Sequence, residues 1–292
     1  MYFYHTDCGT YKVKRHHLFL SPHPDDAVLS CGGLIYTLCQ QGERVSVWTI
    51  MAQDAPKDVI SIPYIQSLHQ RWGLGDTPYA HRRTEDQYAC HALGVDDVTF
   101  GDWVDAIYRV GQNGNLLYTS DDDLFGEVKE DDPLHEALLD VEQWQDVTDL
   151  YVPLAVGQHV DHQIVHWAAR RSFNPLLRWH FYEDYPYSAT SAEVFFAHGG
   201  NEARLYGIQA VQKAISNSAL NLQSQILEMP PEAIEAKIKA IAHYQSQIST
   251  FWPSLTAMAK SVKDYHCQIG SRIGFEYAES YWILKDSVHK EI

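Results

Sequence analysis

The chain alternates short apolar runs with longer stretches of helical periodicity. His17-Leu18-Phe19-Leu20 is a buried run that stops at Ser21-Pro22, and apolar positions from Ala27 to Gln41 recur at helical spacing until Gly42. Val45 to Met51 is β-branched and nearly continuous, as suits a parallel strand covered on both faces. Pro56 to Gly75 is mixed; Arg82 to Leu93 has helical spacing and ends at Gly94, and Val98-Thr99-Phe100 reads as the next strand. Gly111 to Pro133 is polar and acidic, an exposed insertion, and Leu134 to Val147 has the spacing of an amphipathic helix. Leu150 to Val156 is a third strong strand, continued by a helix over Ile164 to Arg171. Beyond Pro186 a helical run covers Pro230 to Phe251 and a β-rich stretch Phe275 to Leu284. This alternation predicts an α/β fold, Rossmann-like, with a mostly parallel sheet, helices on both faces and ligands at the carboxyl ends of the strands. With no low-complexity linker and no internal repeat, residues 1–292 read as a single domain. Its core is 14–186, and 187–292 pack on that core and shape one wall of the site.

A 45% hydrophobic content over 292 residues suffices for a substantial core. Lys+Arg 22 against Asp+Glu 38 leaves a net charge of −16, a field that repels phosphate backbones and anionic lipid and so argues against nucleic-acid and membrane partners. No stretch approaches the roughly 18–20 apolar residues of a membrane span, and Met1 to His17 lacks the apolar block of a secretory signal. Cys8, Cys31, Cys39, Cys90 and Cys267 are scattered with no C-x-x-C pair, which excludes a cysteine zinc finger and suits a reducing, cytoplasmic setting.

Two segments carry chemistry. Ser21-Pro22-His23-Pro24-Asp25-Asp26 lies between the first strand and its helix, so an imidazole and a carboxylate three residues apart can converge on one ion while Asp25 points elsewhere. Gly157-Gln158-His159-Val160-Asp161-His162 follows the third strand in the same setting, and His162 could complete a His/Asp/His set with an open position for water. Taken alone, Asp25-Asp26 is also what helix capping produces, and the histidines are also what a solvated helix start looks like. The two segments together favour a metal site.

Pro22-His23-Pro24-Asp25-Asp26-Ala27-Val28-Leu29-Ser30-Cys31-Gly32-Gly33 resembles the signature of the PIG-L / LmbE-like zinc deacetylase family, and His159-Val160-Asp161-His162 its second motif. Weaker echoes are Arg82-Arg83-Thr84-Glu85 and Tyr244-Gln245-Ser246-Gln247. The resemblance implies a Rossmann-like core and a zinc-dependent hydrolase that removes an N-acyl group, commonly acetyl, from an amino sugar or its conjugate. It implies His23, Asp26 and His162 as zinc ligands, Asp25 as general base, His159 as support for the oxyanion or leaving amine, Asp161 as the residue orienting His159, and Arg82 as a substrate contact. Iron(II) could occupy the same ligands. Two positions depart from the family: Ala27, often Glu, and Gly157, where some members carry an aromatic residue. Other readings are a zinc amidase for a longer acyl chain, a glycopeptide or a thiol-sugar conjugate, and a metal-dependent binding protein without turnover. A homo-oligomer is compatible with all of them.

In Phe181 to Tyr187, Tyr182 could stack on a sugar ring and Asp184 accept a hydroxyl hydrogen, with core packing as the alternative; Asp105 is another candidate pocket acid. Asp121, Asp123, Gly126 and Asp132 fall on positions 1, 3, 6 and 12 of a calcium loop. Phe125 supplies no ligand at position 5 and Asp132 replaces the usual Glu, so a solvated acidic insertion is the preferred reading.

Overall fold

A computed structural model describes residues 14–140, 144, 146–189 and 207–285. In chain order its elements are β1 (His16–Ser21), α1 (Asp26–Gln40), β2 (Arg44–Met51), α2 (Pro63–Trp72), α3 (Pro78–Leu93), β3 (Asp97–Trp103), α4 (Asp121–Leu124), β4 (Asp149–Pro153), α5 (Val160–Arg171), β5 (Arg178–Tyr182), α6 (Gly207–Ser218), β6 (Leu222–Glu228), α7 (Pro231–Ile241), α8 (Gln245–Phe251), α9 (Leu255–Ser271) and β7 (Ala278–Leu284). One seven-stranded sheet runs β3-β2-β1-β4-β5-β7-β6. The strands from β3 to β5 are parallel, and β7 and β6 add an antiparallel edge.

Every residue of β1 and β4 is buried, because successive side chains point to opposite faces and both faces are covered. Phe19, Val45 and Val47 pack under the helix layer containing α1, whereas Leu18, Leu20 and Ile50 pack with Ile164, Val165 and Ala168 of α5. Chain order reverses between β1, which leads on to β2 and β3, and its other neighbour β4. The loops leaving these two adjacent strands therefore diverge and open a crevice at the sheet's carboxyl edge.

A buried ion pair sews the C-terminal residues to α1. Lys237 on α7 donates to Glu279 of β7 at 2.6 Å and to the Ser30 carbonyl at 3.2 Å, while Glu279 accepts the amides of Gly33 (3.0 Å) and Leu34 (2.7 Å). This approach explains the paired glycines: a Cβ on Gly33 would lie 1.8 Å from Met229 Sδ, and one on Gly32 2.9 Å from Lys237 Cγ.

Of the helix expected over Leu134 to Val147, no helical turn forms among the described residues 134–140. Residues 133–136 turn and 137–140 run on without regular structure, since Asp132 takes the Leu134 and His135 amides through its carboxylate and carbonyl, and Leu139 is buried against the sheet. Residues 141–143 and 145 lie outside the described residues. The mixed stretch before Gly75 contains α2, which starts on Pro63 and stops at the left-handed Gly73.

Candidate metal centre and active site

The turn after β1 is built by Ser21, whose hydroxyl donates to the His23 carbonyl (2.6 Å) and accepts the Ala27 amide (3.0 Å). This holds Asp25 at φ 142°, a conformation that costs a non-glycine residue on the order of 1–3 kcal/mol. The turn brings His23, Asp25 and Asp26 to the crevice, and the loop after β4 brings His159 and His162 against them. The His23 and His162 rings lie 5.4 Å apart, those of His23 and His159 4.9 Å, and a ligand atom of each of the three comes within 4.8 Å of the others.

Asp26 Oδ2 lies 3.1 Å from His23 Nδ1 and 3.2 Å from His162 Nε2. Tetrahedral coordination at about 2.0–2.1 Å sets neighbouring ligand atoms about 3.3–3.4 Å apart. Both separations from Asp26 are close to that value, and His23 and His162 also belong to a buried three-histidine group whose ligand atoms lie within 4.8 Å of one another. His162 Nε2 is buried and has no hydrogen-bond partner, as a lone pair reserved for a metal would be. Each imidazole is backed on its other nitrogen by a buried carboxylate: His162 Nδ1 by Asp184 at 2.6 Å and His23 Nε2 by Asp161 at 2.9 Å. Burial disfavours a charged imidazole, but Asp26 and Asp184 outweigh it and raise His162 to about 10. Against the same burial, Asp105, Asp161 and Asp26 raise His23 well above its usual value. The site thus favours positive charge between these rings.

Burial raises Asp25 to about 8, Arg82 pulling it down from 3.4 Å away and Asp26 pushing it further up. His159 is driven well below the usual imidazole range by burial and by His23, so its ring is neutral. Its Nδ1 accepts the Asp161 amide at 3.2 Å, which leaves the ring proton on Nε2.

Several expectations need correction. The Asp161 carboxylate does not orient His159: it accepts His23 Nε2, the Ala106 amide and Arg109, and only the Asp161 peptide N–H reaches His159. Asp184 is not a pocket acid, because it is buried behind His162 and also accepts the Val156 amide. Tyr182 is likewise core, its ring packed in the cluster beneath α1 and its hydroxyl donating to the Leu20 carbonyl at 2.7 Å. Arg82 and Asp105 do line the cleft. Arg82 donates to Asp25, Pro24 and Tyr79, and the Tyr79 hydroxyl donates in turn to Asp105. The calcium reading fails on Asp132, which is buried on Arg109 and Tyr118, and on Asp123, which accepts from Thr119, Ser120 and Lys129.

The cleft is completed by Trp72, Phe125, Gln247 and Phe251, to which sequence alone assigned no site role, and by Tyr187 from the Phe181 to Tyr187 cluster. Two weak sequence echoes explain part of that wall. Glu85 accepts the amide (2.9 Å) and hydroxyl (2.6 Å) of Ser246, and Asp86 accepts the Tyr244 hydroxyl (2.6 Å), so α3 grips the start of α8 and sets Gln247 and Phe251 over the site. At Gly157, with φ +85°, a Cβ would lie 2.7 Å from Tyr187. An aromatic ring therefore fills this corner after all, supplied from the segment after β5.

The chain is 28% identical to the 2'-N-acetylparomamine deacetylase of Niallia circulans over 257 residues, 82% of this chain and 90% of that protein. It is 30% identical to the Streptomyces fradiae protein of the same name over 195 residues, 64% of this chain and 63% of that one. Among solved structures, the zinc-inhibited form of teicoplanin deacetylase Orf2 superposes with a TM-score of 0.70 at 24% identity, covering 93% of this chain and all of that one. The A40926 pseudoaglycone deacetylase Dbv21 gives 0.63 at 26% identity, over 91% and 96% of the two chains. The profile of the PIG-L family, described as GlcNAc-PI de-N-acetylase, matches residues 18–173, more than half of the chain and inclusive of both motifs; the protein belongs to the PIG-L family.

Proposed function

We propose that this protein is a zinc-dependent N-deacetylase that hydrolyses the acetamide of an amino sugar or amino-sugar conjugate. The observation that carries the reading is the pair of separations from Asp26 Oδ2, 3.1 and 3.2 Å, to two buried imidazole nitrogens on different loops. His23, Asp26 and His162 would hold the ion. A zinc ion held there would provide an acidified water and a Lewis acid for the acyl oxygen. Asp25 takes the proton of the attacking water. Once protonated it returns that proton to the leaving nitrogen, so one water and one amide give acetate and a free amine. The neutral His159, with its proton on Nε2, donates to the developing oxyanion.

Support for the substrate class comes from the 2'-N-acetylparomamine deacetylase relatives and from the pocket. A net charge of −16 draws in a cationic amino sugar, and aromatic Trp72, Phe125 and Tyr187 beside Asp105 suit the faces and hydroxyls of a ring. The cleft offers about 170 Å³ among the described residues, below the roughly 300–1,000 Å³ of drug-sized sites. The test is acetate release by the zinc-loaded protein from 2'-N-acetylparomamine, N-acetylglucosamine conjugates, a teicoplanin-type glycopeptide and a thiol-sugar conjugate. Zinc binding without release of acetate or amine from any of them would leave a binding protein instead.

A further inference from the structure

The acidic insertion and one buried arginine are not used by the chemistry above, yet they connect directly to it. Arg109, with no side-chain exposure, forks between two buried carboxylates: Nη1 donates to Asp161 Oδ1 at 2.5 Å and Nε to Asp132 Oδ2 at 3.0 Å. Nη1 also reaches the Val104 carbonyl at 3.1 Å, and the Tyr118 ring lies 5.5 Å from the guanidinium. Tyr118 and Asp132 both come from the insertion and bond to each other at 2.7 Å. Asp161 then spends its second oxygen on His23 Nε2 and the Ala106 amide.

We propose that Arg109 is a positioning residue for the metal centre, holding Asp161 so that it accepts from His23 Nε2 and turns the His23 Nδ1 lone pair toward Asp26 and His162. In a neutral imidazole only one nitrogen carries a proton, so whatever fixes the proton on Nε2 frees Nδ1 for an ion. The guanidinium reaches Asp161 through Nη1 and Asp132 through Nε, a fixed geometry that a flexible ammonium holds less well. The insertion's role is then to cover the fork with Tyr118 and Asp132 and keep solvent from Asp161.

This inference rests on the reading of His23 as a metal ligand. The experiment measures zinc dissociation constants by chelator competition and the visible spectrum of the cobalt(II)-substituted protein, well below the melting temperature. The proteins compared are the wild type, H23A, R109M, R109K, D161N and R109M/D161N. R109M is expected to bind zinc 10- to 100-fold more weakly and to alter the cobalt spectrum. R109K should recover part of the affinity, and the double variant should be no weaker than D161N, because Arg109 acts through Asp161. A folded R109M with wild-type affinity and spectrum, or a double variant that loses both effects in full, overturns the proposal. Where R109M does not fold, R109K decides by the same two readings. Failure of the metal reading looks different: the wild type then binds zinc no better than H23A.

Discussion

The Lys237–Glu279 pair allows a prediction worked through in energy. Lys237 has no side-chain exposure and Glu279 only 5%, so neither charge is hydrated, and each is satisfied chiefly by the other. Lys237→Met removes the cation at similar volume but leaves the Glu279 carboxylate buried, with only the Gly33 and Leu34 amides to bond it. Glu279→Gln removes the anion and leaves the buried ammonium with uncharged neighbours, the Ser30 carbonyl, the glutamine oxygen and the Tyr185 ring. Each single substitution is expected to cost about 3–5 kcal/mol, the range for stranding one member of a buried pair. At about 2 °C per kcal/mol for a chain of this size, that is a fall in Tm of roughly 6–10 °C. The double variant Lys237→Met/Glu279→Gln strands no charge, and its glutamine can still accept one helix amide. It should therefore lose at least about 2 kcal/mol less than the sum of the singles. The assay is urea unfolding followed by tryptophan fluorescence, comparing midpoints at a constant slope. Additive losses, or a single variant that costs under about 1 kcal/mol, would refute the view that these two groups are coupled inside the fold.

Three further outcomes follow from the site and core. Asp25→Asn should keep stoichiometric zinc by metal analysis and lose about 10²- to 10⁴-fold in kcat, whereas Asp26→Ala should lose the metal; undiminished turnover in Asp25→Asn would remove the base. Asp184→Asn should weaken zinc binding about 10- to 100-fold by chelator competition, since the anion behind His162 Nδ1 is gone; unchanged affinity would reduce Asp184 to packing. Burial lowers His17 and His166 from 6.5 to about 4, so the unfolded chain takes up protons first as pH falls. The stability that these two rings contribute is thus full above about pH 7 and falls between 6.5 and 4, each ring losing about 2 kcal/mol by pH 5. His166→Asn, which keeps a donor for the Pro153 carbonyl, should flatten that dependence by close to one proton in urea midpoints measured from pH 7.5 to 5.

The parts of the fold visible in the sequence are those where periodicity and local punctuation agree. The run from Val45 to Met51 has one interpretation as a strand, and Gly42 and Gly94 mark helix ends that sit in the left-handed region. The edge strand β6 is half polar, and α2 buries only Ile65, Leu68 and His69, so neither produces a strong periodic signal. Leu134 to Val147 misleads because scattered apolar residues can be buried one at a time by turns. In the site, the two motifs are legible because both leave strand ends at the switch point. Their supports are not. Asp184 backs His162 from another strand end, and the choice between His159 and His23 for Asp161 depends on tertiary geometry that spacing does not encode. The same holds for Glu279, which bonds Gly33 from 246 residues away.

The placement of these supports bears on how the proposed base could work. A helix N-terminus, Arg82 and an adjacent metal ion all pull Asp25 toward a weak, fully ionised carboxylate. Burial pulls the other way and, without a metal, prevails to about 8. A cation held at His23, Asp26 and His162 would pull Asp25 back down from that value, favouring the ionised form that the proposed base needs. The strained turn at φ 142° keeps Asp25 buried beside the ligand set instead of hydrated at the helix start, where capping alone would leave it. On this account burial and a bound cation act in opposite directions at the proposed base Asp25.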